Sequence, residues 1–146
     1  MAPAVEAPRK HFTVEEANRA LPLVRAIVSD FVSQYRTVKD LRQRLEALAA
    51  RNPKRPADDP YAEEVAQQEA ELEAEEAKLA GYIDELTRLG VELKGPDGLC
   101  DFPSFRDGRE IYLCWRLGEP EVAHWHELHA GFAGRQPLKP AASRSR

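Results

Sequence analysis

The sequence lacks long apolar runs and any surplus of positive charge. No stretch of its 146 residues approaches the roughly 20 apolar residues that span a bilayer, and residues 1–10 have no apolar segment like that of a signal peptide. With 21 Lys and Arg against 25 Asp and Glu, the chain has no basic excess for general nucleic-acid binding. We therefore expect a cytoplasmic protein that contacts neither membranes nor nucleic acid, and whose two cysteines, Cys100 and Cys114, are reduced.

The composition that remains is typical of one domain with long exposed helices. Hydrophobic residues make up 42% of the chain and charged residues 32%, and the length allows one modest core. Residues 1–10 are rich in Pro and Ala, and residues 136–146 form a basic tail without an apolar pattern, so both ends are expected to be disordered. A single domain is predicted for residues 11–135.

The first predicted element is a long helix over residues 13–50. Thr13 can cap its N-terminus while Glu16 reaches back to the backbone, which is the capping-box pattern. Pro22 falls inside the following apolar pattern, and a proline interrupts the backbone hydrogen bonds of a helix. We therefore expect a short first helical segment, then a kink or a restart at Pro22.

A second helix, over residues 61–89, is predicted to fold back on the first. A basic arm at residues 36–55 and an acidic arm at residues 58–80 come side by side in an antiparallel pairing. Both helices carry coiled-coil-like apolar side chains at seven-residue spacing, namely Val24, Phe31, Val38 and Leu45, then Val65, Leu72, Leu79 and Leu86. The two helices are thus expected to form an antiparallel hairpin.

A small antiparallel β-meander is predicted after the helices. Asp107-Gly108 is a strong signal for a two-residue hairpin turn, which places Arg106 opposite Arg109. The predicted strands are residues 91–94, 99–105 and 110–117.

The turn also predicts which side chains share a face of the sheet. One face is apolar and is expected to pack on the helical hairpin, with Cys100, Phe102, Ser104, Ile111, Leu113 and Trp115. The other face carries Asp101 opposite Cys114. The two cysteines therefore lie on opposite faces, which disfavours a disulfide between them.

The predicted fold class is α+β: a long antiparallel helical hairpin, a small β-meander and a C-terminal motif segment at residues 118–135. About fourteen large apolar side chains of the hairpin need cover, each worth about 1.5–3 kcal/mol when buried, and a meander covers only the base. The pattern therefore favours a homodimer, or another protein partner, bound through the hairpin.

The densest group of reactive side chains lies in and before the C-terminal segment. Three of the four histidines fall within residues 124–129, and histidine, cysteine and carboxylate side chains are the ligands of zinc and related metals. If the segment is helical, His126 and His129 share a face; if it is extended, His124 and His126 do. The candidate metal ligands are His126, Cys114, Glu119, Asp101 and His129, and the candidate anion-binding residues are Arg116 and Arg135.

Two other interpretations of these side chains stay open. The histidines can pack beside Trp125 and bond to neighbouring carboxylates, without any ligand. A catalytic His–Cys or His–Glu pair needs no metal either. The sequence has no Cys-x-x-Cys and no His-Glu-x-x-His, the patterns with strong meaning for metal binding.

Several short segments resemble a family of small bacterial proteins of unknown function, domain-of-unknown-function family 2203. The segments are HFTVEEAN at 11–18, GVELK at 90–94, DFP at 101–103, CWRLGEPE at 114–121, WH at 125–126 and GFAGR at 131–135. The resemblance spans residues 11–138 and implies a shared motif region but no established reaction. It centres any shared site on His126, Cys114 and Glu119, because His124 and His129 stand where the family often has Tyr and Asp.

Two hypotheses of function follow. The first, which we favour from the sequence, is a protein-binding or self-associating module built on the helical hairpin. The second is a metal-binding protein, with zinc, iron or manganese at the C-terminal motif, working as a metal-dependent hydrolase. The second predicts that Cys114, Glu119 and His126 converge, and the first predicts dispersed histidines and an exposed apolar patch on the hairpin.

Overall fold

The computed structural model describes residues 9–51 and 61–138 of the chain. Two long helices are followed by a five-stranded antiparallel sheet whose strands lie in chain order. The predicted α+β class, with a helical hairpin and a β-meander, is confirmed. The elements are α1 (Val14–Arg51), α2 (Ala62–Leu89), β1 (Glu92–Leu93), β2 (Leu99–Arg106), β3 (Arg109–Arg116), β4 (His124–Glu127), a 3-10 turn (Phe132–Gly134) and β5 (Gln136–Pro137).

Helix α1 begins with the predicted capping box and runs through Pro22 without a break. The backbone N–H of Thr13 donates to Oε1 of Glu16 at 2.8 Å, and the N–H of Glu16 donates to Oγ1 of Thr13 at 3.1 Å. The predicted restart at Pro22 is wrong. A proline removes one backbone hydrogen bond, but Leu21 and Val24 on either side of it are buried, so packing holds the helix continuous.

Polar contacts between the two helices agree with the predicted antiparallel pairing. Nη2 of Arg42 lies 2.6 Å from Oε2 of Glu76, and the side-chain amide of Gln34 donates to the backbone carbonyl of Glu75 at 2.9 Å. Helix α2 ends at Gly90, which adopts a left-handed conformation (φ 88°) that favours glycine.

The β2–β3 register is the one predicted from the Asp107-Gly108 turn. Arg106 pairs with Arg109, and the pairing continues outward to Leu99 with Arg116. Both turn residues have positive φ, 54° at Asp107 and 76° at Gly108, as in the hairpin turns that match the twist of a β-ribbon.

The predicted apolar face of the sheet packs on the helices and forms the core. Phe102, Leu113 and Trp115 are fully or almost fully buried in one cluster with side chains of α1 and of the end of α2. The helical members of this cluster are Ala17, Leu21, Val24, Ile27, Val28, Phe31, Val32 and Leu86.

Strands β4 and β5 go beyond the three predicted strands. The segment around residues 124–129 is extended at His124–Glu127, so the extended alternative holds there and the helical one does not. Strand β5 lies within the range 136–146 that was expected to be disordered, and the described chain reaches Leu138. The rest of that range, and residues 1–8 of the expected disordered N-terminus, lie outside the described residues.

A single chain buries part of the apolar stripe of the hairpin. Val38 and Leu41 are buried in a single chain. Leu23, Tyr61 and Ile83 are the large apolar side chains of the described hairpin that are strongly exposed. In the described part of the chain, neither helix has a stretch apolar enough to cross a membrane. The homodimer stays a prediction, because the structure of one chain does not test how chains associate.

Candidate metal centre

The outer face of the sheet, which points away from the helices, carries a buried cluster of three possible metal ligands. Asp101 on β2, Cys114 on β3 and His126 on β4 each offer one ligand atom, and these atoms all lie within 4.8 Å of one another. The register explains the convergence, because Asp101 pairs with Cys114, and Tyr112, two residues before Cys114 and on the same face, pairs with His126. All three residues are buried, with 3%, 0% and 2% exposure. We call them the outer-face cluster.

The contacts of His126 determine which of its two ring nitrogens bears a hydrogen. Nδ1 lies 2.7 Å from the backbone carbonyl oxygen of Glu127, and since a carbonyl only accepts, Nδ1 carries the hydrogen. Nε2 lies 2.9 Å from Oδ1 of Asp101. A neutral imidazole with its hydrogen on Nδ1 has a lone pair at Nε2, which would face the lone pairs of a carboxylate. The short Nε2–Oδ1 contact therefore requires an added proton or a metal cation.

The thiol of Cys114 is protonated as long as no cation binds beside it. Burial, and then the negative charge of Asp101, raise the pKa of Cys114 to about 12. A metal ion reverses this effect, because a coordinating thiol loses its proton outright. The cluster thus offers one imidazole nitrogen, one carboxylate and one thiol that a metal would convert to thiolate.

A polar network borders the cluster on the β1 side. Nζ of Lys94 lies 3.6 Å from Oδ2 of Asp101 and 3.3 Å from Oε1 of Glu92. The same ammonium lies 4.7 Å from the ring centre of Tyr112, whose hydroxyl donates to Glu92 at 3.0 Å. Arg9 joins this network through a 2.9 Å ion pair with Glu92.

Arg135 borders the opposite side. Its guanidinium bonds to the carboxylate of Glu119 at 2.9 Å and to Nδ1 of His124 at 2.6 Å. Because a guanidinium only donates, Nδ1 of His124 accepts and the ring is neutral; burial and the positive Arg135 lower the pKa of His124. Nε of Arg135 is buried and has no hydrogen-bond partner among the described residues. The guanidinium also lies over the ring of Phe132, at 4.7 Å.

The structure thus brings together three of the five predicted metal ligands. Glu119 lies outside the cluster, because its carboxylate accepts from Arg135 and from the backbone N–H of Arg116 at 2.8 Å. His129 is exposed, in the turn after β4. Both anion-binding candidates already face carboxylates: Arg135 bonds to Glu119, and Arg116 lies 3.6 Å from Asp97.

Sequence reasoning missed Lys94 as a neighbour of Asp101. The signal was present in Gly95-Pro96-Asp97-Gly98, the turn whose length determines how β1 pairs with β2. Glu92 pairs with Asp101, and because side chains alternate between the faces of a strand, Lys94 lies on the same face as Glu92.

Comparisons with known proteins give the family. A search of curated proteins and a search of solved structures each found no match. A family model described as "Uncharacterized conserved protein (DUF2203)" matches residues 10–138, and this range includes the helical hairpin, the sheet and the outer-face cluster. The chain therefore belongs to the DUF2203 family of uncharacterised conserved proteins.

Proposed function

We propose that the protein binds a divalent transition metal ion, zinc in preference to iron or manganese, through Asp101, Cys114 and His126. The observation that carries the proposal is the 2.9 Å contact between Nε2 of His126 and Oδ1 of Asp101, with Nδ1 held in its protonated form by the carbonyl of Glu127. Metal-binding histidines commonly donate their second ring N–H to such a carbonyl, which orients the ring and directs the other nitrogen at the ion.

The ligand types favour zinc. Zinc accepts thiolate, imidazole and carboxylate ligands together. Thiolate is a soft ligand that suits zinc and iron better than manganese, whose preferred ligands are oxygen atoms. With Cys114 deprotonated, the two charges of the ion are balanced by Asp101 and Cys114. Among the described residues three such side chains converge, so a bound ion would take water or another ligand as its fourth.

Burial argues for a metal that stabilises the protein rather than one that hydrolyses a substrate. A catalytic zinc has three protein ligands and a fourth position that substrate reaches. The number of ligands here fits such a site, but the side chains of Asp101 and His126 are 5% and 2% exposed, which keeps a substrate from the ion. An ion bound here would join β2, β3 and β4, and its binding free energy would add to the free energy of unfolding. The proposal includes a cytoplasmic location, where Cys114 stays reduced and able to bind metal.

The hairpin-adaptor hypothesis has less support than the metal hypothesis. It predicted dispersed histidines and an exposed apolar patch. Instead, His126 lies beside Asp101 and Cys114, and the strongly exposed large apolar side chains of the described hairpin number three.

The test is the metal content of tag-free protein, measured by inductively coupled plasma mass spectrometry. We expect close to one zinc per chain in the wild type, and its loss in His126→Ala and Cys114→Ala. The matched controls are His129→Ala, an exposed histidine, and Cys100→Ala, a buried thiol on the opposite face of the sheet. Both controls should keep the metal.

Cobalt gives an independent spectroscopic readout of the ligands. Co²⁺ added to metal-free protein should produce a thiolate charge-transfer band that disappears in Cys114→Ala and persists in Cys100→Ala. If no variant and no wild-type sample binds zinc, iron, manganese or cobalt, the proposal is wrong. The His126–Asp101 contact is then a hydrogen bond that holds an extra proton.

A further inference from the structure

We infer that Lys94 is a built-in cation that competes with the metal for Asp101, and that it sets the affinity of the site. This inference rests on the proposed metal binding, and it concerns how the site is regulated. Its basis is the position of the Lys94 ammonium, 3.6 Å from Oδ2 of Asp101, while Oδ1 of the same carboxylate faces His126.

The charge balance of the cluster explains the competition. Without metal, the Asp101 carboxylate faces two positive partners: the ammonium of Lys94, 3.6 Å from Oδ2, and the proton of its contact with His126 at Oδ1. A divalent ion bound to Asp101 takes the place of that proton and puts two positive charges beside the ammonium of Lys94, which repels it.

The Lys94 side chain also has room to move away when a metal ion binds. Its side chain is 38% exposed, so the ammonium can move into solvent without opening the core. It can also keep its ion pair with Glu92, which lies 3.3 Å away. The movement therefore breaks one ionic contact, to Asp101, and leaves another in place.

The opposite side of the cluster is closed more firmly. The side chain of Arg135 is 11% exposed and is bonded to both Glu119 and His124. Moving it would break at least two hydrogen bonds and uncover buried groups. We therefore place the route of metal entry and exit on the Lys94 side, so that Lys94 influences the exchange rate as well as the affinity.

The experiment replaces the charge and keeps the length of the side chain. Lys94→Met removes the ammonium, Lys94→Arg keeps a positive charge, and Lys78→Met removes a lysine from α2, where its ion-pair partner is Glu75. Zinc affinity is measured by competition with a chromophoric chelator, and circular dichroism checks that each variant is folded. Lys94→Gln serves as a second neutral variant if Lys94→Met does not fold.

We expect Lys94→Met to bind zinc at least tenfold more tightly than the wild type, and to release it more slowly to a chelator. Lys94→Arg and Lys78→Met should stay within about twofold of the wild type. If the wild type binds zinc and the neutral Lys94 variants bind it equally or more weakly, the inference is wrong and the proposed function stands. If neither the wild type nor any variant binds zinc, iron, manganese or cobalt, the proposed function fails and the inference fails with it.

Discussion

Asn18 ties α1 to the loop that leads into β4, and its removal tests the packing of the whole C-terminal segment. Its side-chain oxygen accepts from the backbone N–H of Val122 at 2.8 Å, and its amide nitrogen donates to the Val122 carbonyl at 3.2 Å. Val122 is 1% exposed. Asn18→Ala would therefore leave two backbone groups of an almost fully buried residue without partners.

The expected loss of stability follows from the cost of such groups. Leaving one buried donor or acceptor unsatisfied costs about 1–3 kcal/mol, and partial access of water to the loop lowers the sum for the pair. We expect Asn18→Ala to reduce the free energy of unfolding by about 2–4 kcal/mol, on the basis of that cost. Asn18→Asp keeps an acceptor for the Val122 N–H and loses the donor, so its loss should be intermediate.

The assay is urea denaturation at equilibrium, with the free energy of unfolding extrapolated to water. Gln34→Ala is the matched control, because it removes a half-buried side-chain amide that bonds across the hairpin to Glu75. That change should cost less than about 1 kcal/mol, the net value of an ordinary hydrogen bond. If Asn18→Ala costs no more than Gln34→Ala, the bonds to Val122 do not hold the loop as described.

Three further predictions concern the metal, the thiols and the oligomeric state. Zinc at 100 times its dissociation constant should raise the free energy of unfolding of the wild type by about 2.7 kcal/mol and leave that of His126→Ala unchanged; equal shifts in both would place the ion elsewhere. In metal-free folded protein, Cys100 and Cys114 should resist alkylation at pH 8, because burial raises the pKa of each thiol to about 12, and both should react once urea unfolds the chain; rapid labelling of the folded protein would contradict this. The homodimer expected from the hairpin predicts a light-scattering mass of twice 16.4 kDa, and the mass of a single chain would argue against it.

Parts of the fold that depend on local chemistry were predictable from the sequence. The Asp107-Gly108 turn has two residues with positive φ, and a turn of that length permits one pairing of the flanking strands. That register placed Asp101 opposite Cys114, two of the three residues of the outer-face cluster. The capping box of Thr13 and Glu16 was predictable for the same reason, because its bonds join residues three apart.

The rest depended on contacts between residues far apart in the chain. Strand β4 has four residues and follows an irregular loop, so its extended form comes from pairing with β3 rather than from a turn signal. Glu119 was a reasonable metal ligand by residue type, but in the folded chain its carboxylate accepts a hydrogen bond from Arg135, sixteen residues later. Pro22 was expected to interrupt α1, and the buried neighbours that keep the helix continuous belong to the core as a whole.

The alternation of side chains in β4 has a consequence for how the sheet assembles. His126 faces the outer cluster, while the indole of Trp125 is buried in the core on the other face. A slip of β4 by one residue would exchange the two faces, driving an imidazole into the apolar core and an indole among charged groups. The shifted register is therefore disfavoured on both faces of the sheet. A metal ion that binds only when β4 is correctly aligned would further stabilise the chains whose last strands have paired in register.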